Sequence, residues 1–213
     1  MIRILLADDH MIVRRGLNQI LAEEGDFNVI AEAANGNDAL KLVREIELDT
    51  VVLDMSMPGR SGIELIKLIK AEKPKLSILI LSMHKEEQYA VRAIKAGAAG
   101  YLTKESAPEQ LVSAIRKIAG GGVYITPVVA ERLALDCGTP KESASHTHLS
   151  DREYQIFEMI VRGKSISIIA EELALSVKTI STHKARILQK MRMSNSAQLI
   201  HYAIEHQLVT DPR

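Results

Sequence analysis

The first 120 residues of the chain contain five short apolar runs, and a segment with helical spacing follows each of them. The runs are nearly continuous in apolar residues, which is typical of parallel strands that helices cover on both faces. The pattern therefore predicts an α/β fold with a five-stranded doubly wound parallel sheet. The predicted strands are 2–7, 27–33, 50–53, 77–82 and 100–103, and the predicted helices are 11–24, 37–48, 61–73, 86–96 and 107–119.

Three acidic residues stand at the ends of two of these strands. Asp8 and Asp9 directly follow the first strand, and Asp54 directly follows the third. If the two strands are neighbours, their carboxyl ends meet where open α/β sheets bind ligands, so the three carboxylates would share one pocket. Three like charges raise one another's pKa unless a hard divalent cation such as Mg²⁺ lies between them. The sequence therefore predicts a Mg²⁺ site.

Asp54 is the candidate nucleophile of this pocket. A carboxylate beside Mg²⁺ can attack a phosphoryl group, because the cation neutralises charge on the donor and holds it in line. Pro58 and Gly59 predict a tight turn that leaves the strand end open to solvent. Two further strands end in Ser82, a hydroxyl donor, and in Lys104, a cation suited to a phosphate. Any one of these residues could simply face solvent, but the whole set in this order favours a phosphoryl-accepting site.

Composition excludes several classes of protein. Lys and Arg number 27 and Asp and Glu also 27, so the zero net charge argues against a generally basic nucleic-acid binder, although a local patch remains compatible with it. The single cysteine, Cys137, cannot form an intramolecular disulfide, which fits a reducing compartment. No apolar run approaches the roughly 18 residues that span a bilayer, and the start lacks the features of a signal peptide. We expect a cytoplasmic protein without a membrane partner.

The pattern changes after Gly120. Thr126 and Pro127 predict the start of a short helix that covers 128–135. Residues 136–148 are small and polar with almost nothing to bury, which predicts a flexible linker. We therefore divide the chain into a first domain at 1–120, a linker with a short helix at 121–148, and a second, smaller all-α domain at 149–213.

Four helices are predicted in the second domain. Ser150 and Glu153 form a capping-box pattern that begins the first helix, which ends at Gly163. The second helix covers 167–173, Ser176 caps a third helix that continues to residue 191, and the fourth covers 196–207. Two helices joined by a short break are typical of a helix-turn-helix, although any small all-α domain could show this pattern.

The third helix of this domain is the candidate DNA-binding element. Residues 174–204 carry five basic side chains and no acidic one, and such charges supply much of the sequence-independent affinity for DNA. The alternative is a solvated basic face on a core helix. For His183 we favour a packed, hydrogen-bonded histidine over a base reader. The candidate contacts are Lys178, Thr179, Ser181, Thr182, Lys184, Arg186 and Lys190.

The apolar residues of three helices predict which side of each helix is buried. In the first helix of the chain these residues are Ile12, Leu17, Ile20 and Leu21. In the candidate DNA-binding helix they are Val177, Ile180, Ile187 and Met191, with Ser181, Thr182, Ala185 and Gln189 on the opposite side, the geometry of a helix in a major groove. In the last helix they are Leu199, Ile200, Ala203 and Ile204.

These motifs resemble those of the two-component response regulators of the NarL/FixJ class, which join a receiver domain to a LuxR-type output domain. The resemblance covers nearly the whole chain, and it implies a flavodoxin-like receiver with strand order 2-1-3-4-5 at 1–120 and a four-helix, LuxR-type helix-turn-helix at 149–213. Ala174 departs from the family, because glycine is frequent at that turn, which suggests mild strain. The matching segments are 7–10, 52–59, 81–82, 96–104, 149–153, 169–173 and 176–183.

The resemblance also implies roles for individual residues. Asp54 would accept a phosphoryl group from a sensor histidine kinase, and Ser82 and Lys104 would hold the phosphoryl oxygens. Tyr101 would be the aromatic residue whose inward or outward position accompanies activation, although a half-buried strand tyrosine is an equally good account. The metal would be held by Asp9, Asp54 and the backbone carbonyl of Ser56, with Asp8 acting through a bound water.

The sequence thus predicts a transcription regulator rather than an enzyme. Its receiver would support only its own Mg²⁺-dependent phosphoryl transfer and dephosphorylation. Phosphorylated receivers would pair as a homodimer, the output domains would bind promoter double-stranded DNA, and RNA polymerase is a further candidate partner. Two alternatives stay open at this point: a metal-dependent phosphohydrolase, and a receiver-containing protein-interaction regulator that does not bind DNA.

Overall fold

The computed structural model describes residues 1–57, 62–83, 87–136, 146, 149–206 and 208. It divides into two compact units, Met1–Gly138 and Thr139–Arg213. Pro58, Gly59 and Cys137 lie outside the described residues. The turn predicted at Pro58 and Gly59 therefore stays a prediction. None of the helices in the described ranges combines the length and the apolar character that a bilayer crossing requires.

The first unit contains a parallel sheet of five strands in the order β2-β1-β3-β4-β5. Both the doubly wound fold and the strand order expected from the resemblance are therefore confirmed. The third strand is one residue longer than predicted, because Asp54 pairs with Leu81 of the neighbouring strand. The strands are β1 (Ile2–Ala7), β2 (Phe27–Ala33), β3 (Thr50–Asp54), β4 (Ser77–Ser82) and β5 (Gly100–Thr103).

Helices connect the strands and cover the sheet. The helix predicted to reach residue 48 ends three residues earlier, because Ile46 adopts an extended conformation. The core includes Ile4, Leu6, Val52, Leu79, Leu81, Leu102, Leu111, Ala114, Ile115 and Ile118. The helices are α1 (Met11–Ala22), α2 (Gly36–Glu45), α3 (Gly62–Glu72), α4 (Glu87–Lys95), α5 (Ala107–Ala119) and α6 (Pro127–Asp136).

The start of the predicted linker is attached to the edge of the sheet. The Tyr124 amide donates to the Ala99 carbonyl at 2.9 Å, and the Tyr101 amide donates to the Tyr124 carbonyl at 3.0 Å. Gly100 permits this approach, because a Cβ atom there would lie 2.8 Å from Leu79 Cδ1 and 3.2 Å from Tyr124 Cβ. The outer edge of β5 is thus paired with the chain segment that follows α5.

The second unit consists of four helices: α7 (Asp151–Val161), α8 (Ile166–Glu172), α9 (Val177–Met191) and α10 (Ser196–Glu205). The predicted capping box is present, since Ser150 and Glu153 each accept the other's backbone N–H. Ser176 caps α9 as expected, and Ser165, which the sequence analysis did not single out, caps α8. The buried side chains include Tyr154, Phe157, Ile169, Ile180, Ile187, Met191, Leu199 and Ala203.

Several side chains predicted to be buried are exposed. Ile12 is 84% exposed and Ile204 is 63% exposed. Each lies five residues from a buried leucine of its helix, Leu17 or Leu199, a spacing that turns it about 140° away from that leucine. Apolar spacing alone therefore predicted wider buried stripes than the helices have. The other two exposed residues are Val177, the first residue of α9, and Ile200.

His146 corrects the prediction that residues 136–148 have almost nothing to bury. Its side chain is buried, and its Nδ1 atom lies 2.7 Å from the Tyr202 hydroxyl oxygen. Its ring also packs near the rings of Tyr154 and His206. At this one position, the segment predicted to be a linker contributes to the core of the second unit.

Candidate functional site

The three predicted acidic residues meet at the carboxyl edge of the sheet. Ala7 at the end of β1 pairs with Leu53 of β3, which places the next residues of both strands, Asp8 and Asp54, side by side. Both side chains are only 1% exposed. One possible ligand atom from each of Asp8, Asp9, His10 and Asp54 lies within 4.8 Å of all the others. His10, which directly follows the two acids, was not among the predicted site residues.

Lys104 enters the same pocket from the end of β5. Its Nζ atom lies 2.6 Å from Asp8 Oδ2 and 3.0 Å from Asp54 Oδ2 in two ion pairs. Its amide donates to the Ser82 carbonyl at 2.8 Å, which fixes the start of the loop after β5 against the end of β4. Four of the predicted site residues thus occupy one edge of the sheet.

The pKa values of Asp54 and Lys104 are both raised in this pocket, for different reasons. Burial raises the pKa of Asp54; the positive charge of Lys104 opposes this rise, and the negative charge of Asp8 adds to it. For Lys104, burial acts to lower the pKa, but the contacts with Asp8 and Asp54 outweigh it and the pKa is raised. The lysine therefore stays protonated and favours the ionised form of Asp54.

The oxygen atoms of the pocket are suited to a hard cation. Asp8 Oδ2, Asp9 Oδ1 and Asp54 Oδ2 are buried atoms. The Lys104 ammonium group contacts the first and the third, whereas Asp9 Oδ1 accepts no directed hydrogen bond from the described part of the chain. Carboxylate oxygens are the ligands that Mg²⁺ prefers, and the single ammonium group of Lys104 does not balance the charge of three carboxylates in this pocket. The donor set therefore fits Mg²⁺.

Backbone and side-chain contacts hold the loops that carry these oxygens. The His10 amide donates to Asp8 Oδ1 at 2.8 Å, and the Ser56 amide donates to Asp54 Oδ1 at 3.2 Å. The Arg14 guanidinium donates to the Asp8 backbone carbonyl at 2.6 Å and, through Nε, to Glu32 at 3.1 Å. These contacts orient the carboxylates before any ligand arrives.

Ser82 and Tyr101 lie on the strands next to the pocket. Ser82 is fully buried at the end of β4, where its register partner is Thr103. The Tyr101 side chain is buried, so it occupies the inward position in this structure rather than a half-buried one. Its backbone amide is bonded to Tyr124, which connects this strand position to the segment after α5.

In the second unit, the predicted DNA-contact residues are distributed along α9. Ser181, Thr182, Ala185 and Gln189 are exposed, as predicted for a face turned away from the core. Two hydroxyl groups are engaged with the helix itself, since Ser181 Oγ donates to the Val177 carbonyl and Thr182 Oγ1 to the Lys178 carbonyl. Among the remaining candidates Lys178, Arg186 and Lys190 are exposed, and Thr179 and Lys184 are half-buried.

Lys190 differs from the other basic residues of α9. Its Nζ atom donates to Glu153 Oε2 at 2.6 Å, so it already has an acidic partner on α7. Burial acts to raise the pKa of Glu153, but the hydrogen bonds from Lys190 and Ser150 outweigh burial and the pKa is lowered. Lys190 therefore has a structural contact besides its predicted role at DNA.

His183 is half-buried, as its predicted packing requires. Its Nδ1 atom is buried but has no hydrogen-bond partner within the described ranges, so the prediction of a hydrogen-bonded ring is wrong for that atom. Burial lowers the pKa of His183, and the positive charges of Arg152 and Arg186 lower it further. The ring is therefore kept neutral beside a basic surface.

Comparisons with known families match both units. Residues 4–116 match the response regulator receiver domain, and residues 147–203 match the bacterial regulatory proteins of the luxR family. Response regulator UvrY of Escherichia coli K12 is 39% identical over 209 residues, covering 98% of this chain and 96% of its own. Response regulator GacA of Pseudomonas aeruginosa PAO1 is 36% identical over 210 residues, covering 98% of each chain.

Solved structures of the response regulator RcsB from Salmonella are similar to this chain over nearly its whole length. RcsB of Salmonella enterica serovar Typhimurium, bound to promoter rprA in the presence of phosphomimetic BeF3-, is 26% identical with a TM-score of 0.66. That alignment covers 95% of this chain and 98% of RcsB. Another Salmonella typhimurium RcsB structure is 27% identical, covers 96% of this chain and 97% of RcsB, and has a TM-score of 0.70.

Proposed function

This chain belongs to the two-component response regulators of the NarL/FixJ class, with a receiver domain followed by a LuxR-type output domain, and on that premise we propose that phosphorylation of Asp54 controls its binding to promoters. It is a DNA-binding response regulator, a transcription regulator and not an enzyme of metabolism. The observation that supports Asp54 as the acceptor is its position beside Asp8 with the Lys104 ammonium group 3.0 Å away.

The proposed reaction is a transfer from a phosphohistidine of a sensor histidine kinase. A carboxylate oxygen of Asp54 attacks the phosphorus atom, and an O–P bond forms as the P–N bond to the donor breaks. The electron pair of the P–N bond remains on the imidazole nitrogen, which takes up a proton from solvent. The product is an aspartyl phosphate, which water later hydrolyses to restore the carboxylate and release inorganic phosphate.

Each residue of the pocket has a proposed part in this transfer. Mg²⁺ held by Asp8, Asp9, Asp54 and the Ser56 carbonyl would supply positive charge to the phosphoryl oxygens. Lys104 would exchange its contact with the Asp54 carboxylate for one with a phosphoryl oxygen. The Ser82 hydroxyl would donate to a second phosphoryl oxygen.

The aspartyl phosphate would shift the receiver between two arrangements. The phosphorylated group carries about 1.5 to 2 negative charges in place of the single charge of the Asp54 carboxylate, and Lys104 and Ser82 would then contact it. Moving a population from 1:99 to 99:1 requires roughly 5.5 kcal/mol, more than one hydrogen bond contributes, so these contacts must act together. We propose that Tyr101 reports the switch. It lies on β5, which ends beside the pocket, and its backbone amide donates to the Tyr124 carbonyl in the segment after α5.

The partners follow from the two domains. We propose a sensor histidine kinase for the receiver, promoter double-stranded DNA for α9, and a second copy of the chain once Asp54 is phosphorylated; RNA polymerase would be contacted at the promoter. Structures of RcsB bound to promoters, and of two RcsB dimers bound to DNA, support this assignment by similarity. The DNA-contact residues of α9 are proposed on exposure and charge: Lys178, Thr179, Ser181, Thr182, Lys184, Arg186 and Lys190.

Selection of bound genomic DNA tests this function directly. The full-length wild type, Asp54→Ala and the exposed-site control Asp38→Ala are each incubated with genomic fragments, with and without acetyl phosphate and Mg²⁺. We expect the phosphodonor to tighten binding by the wild type and by Asp38→Ala, and to have no effect on Asp54→Ala. Equal tightening in Asp54→Ala would exclude this residue as the acceptor.

A further inference from the structure

His10 lies at the solvent side of the acidic pocket, next to the two acids that precede it. Its Nδ1 atom lies 2.8 Å from Asp9 Oδ1 and 3.3 Å from Asp8 Oδ1, and its side chain is 64% exposed. The backbone amide of His10 donates to Asp8 Oδ1 at 2.8 Å, which fixes the position of the main chain at this residue. The ring nitrogen is therefore presented to the same pocket as the carboxylates.

The spacing of these three atoms is that of neighbouring ligands of one cation. Two ligand atoms that each lie about 2.1 Å from a metal, at a right angle to one another, are about 3.0 Å apart. The separations from His10 Nδ1 to Asp9 Oδ1 and to Asp8 Oδ1 lie on either side of this value. The ring nitrogen would need little movement to join the two oxygens around an ion.

A second observation concerns the oxygens themselves. Asp9 Oδ1 is a buried atom that accepts no hydrogen bond within the described part of the chain, although His10 Nδ1 is only 2.8 Å away. The contact is therefore not a directed imidazole-to-carboxylate hydrogen bond. The neighbouring Asp8 side chain is only 1% exposed, and its Oδ2 atom is ion-paired with Lys104 Nζ at 2.6 Å. A cation beside Asp9 Oδ1 would satisfy this oxygen and would lie within reach of the ring nitrogen.

We propose that His10 is an additional ligand, through Nδ1, of the cation that the proposed function assigns to the acidic pocket. This inference rests on that function and extends it to metal selectivity. Mg²⁺ prefers oxygen ligands and keeps several waters, whereas divalent cations later in the first transition row accept an imidazole nitrogen readily. The site of this chain therefore favours a cation that takes mixed nitrogen and oxygen ligands, such as Ni²⁺, more than an all-oxygen site does.

Pulsed electron paramagnetic resonance of bound Mn²⁺ tests for the nitrogen ligand. The full-length wild type, His10→Gln and the control His201→Gln are each loaded with Mn²⁺ alone. His201 is an exposed histidine of α10 outside the pocket. We expect ¹⁴N coupling to the bound Mn²⁺ in the wild type and in His201→Gln, and its loss in His10→Gln. Absence of coupling in the wild type, or its persistence in His10→Gln, would overturn the inference.

Displacement of the bound Mn²⁺ measures selectivity in the same samples. We expect His10→Gln to weaken Ni²⁺ binding about tenfold and Mg²⁺ binding less than twofold, because the substitution removes the imidazole and keeps the backbone amide that holds Asp8. An equal loss for both cations would overturn the inference. Circular dichroism of His10→Gln verifies folding.

The two proposals fail in distinguishable ways. Bound Mn²⁺ without nitrogen coupling would reject the role of His10, while phosphorylation of Asp54 by acetyl phosphate would be unaffected. If the wild type binds no Mn²⁺, or if Asp54→Ala binds it equally well, the cation site of the proposed function is itself wrong, and the role of His10 fails with it.

Discussion

Lys190 Nζ lies 2.6 Å from Glu153 Oε2, and this contact joins the end of the basic helix α9 to the start of α7. The same carboxylate oxygen accepts the Ser150 amide at 2.8 Å. Glu153 is buried, so its charge depends on these donors. The last basic residue of the predicted DNA-binding helix therefore also stabilises the fold of its own unit.

Glu153→Gln should lower the free energy of unfolding at pH 7 by about 1–3 kcal/mol, because the charge-assisted bond from Lys190 is lost. The pKa of Glu153 is lowered in the folded state. Its stabilisation is therefore present above the pKa of about 4.3 in the unfolded chain and is lost as the pH falls through the folded-state value. Urea denaturation from pH 7 to pH 3 should show the two proteins converging at low pH. A difference that is independent of pH would contradict this origin.

Lys178 and Lys190 should respond differently to replacement by alanine. Lys178 is exposed on the first turn of α9, so Lys178→Ala should reduce the slope of log affinity against log salt by about 1 and leave stability within about 0.5 kcal/mol. Lys190→Ala should in addition destabilise the protein by about 1–3 kcal/mol, because Glu153 loses a donor. DNA binding at several salt concentrations, combined with urea denaturation, separates the two effects. Equal stability losses would show that the Glu153 contact contributes nothing.

Lys104→Met should slow phosphorylation by acetyl phosphate by roughly 10²-fold, because a cation that contacts the reacting oxygens is removed. Mg²⁺ binding should be unchanged or tighter, since one positive charge leaves the acidic pocket. Phosphorylation rates and Mg²⁺ titrations of the wild type and the variant test both expectations. Lys75→Met, at an exposed lysine, is the control and should change neither quantity. Weaker Mg²⁺ binding in Lys104→Met would contradict the assigned role.

Ala174→Gly should stabilise the protein by about 0.5–1 kcal/mol. Ala174 has a φ of 51°, a left-handed conformation that costs a residue with a Cβ atom roughly 1–2 kcal/mol, while the flexibility of glycine in the unfolded chain offsets part of the gain. Ala185→Gly is the matched control, because it lies inside α9 and should destabilise by about 0.5–1 kcal/mol. Thermal unfolding measures both. A loss of stability in Ala174→Gly would mean that the Ala174 side chain makes a contact that outweighs the strain.

The alternation of strands and helices and the caps of α7 and α9 could be predicted from the sequence, and the strand order could be predicted from the family resemblance. Apolar runs select buried strands, and Ser150 and Ser176 mark helix starts, because these are local preferences of the chain. The convergence of Asp8 and Asp54 also followed, since the residues at the ends of neighbouring parallel strands share one edge.

Three features were decided only by the tertiary structure. The approach of His10 to Asp9 depends on how the loop after β1 turns, and the pairing of Lys190 with Glu153 joins two residues that are 37 positions apart in the chain. The exposure of Ile204 depends on how wide a surface the neighbouring helices offer to α10. Local pattern specifies which elements form along the chain. Contacts between side chains that are distant in the chain depend on the angles and distances at which those elements pack, and no local preference of the chain sets these.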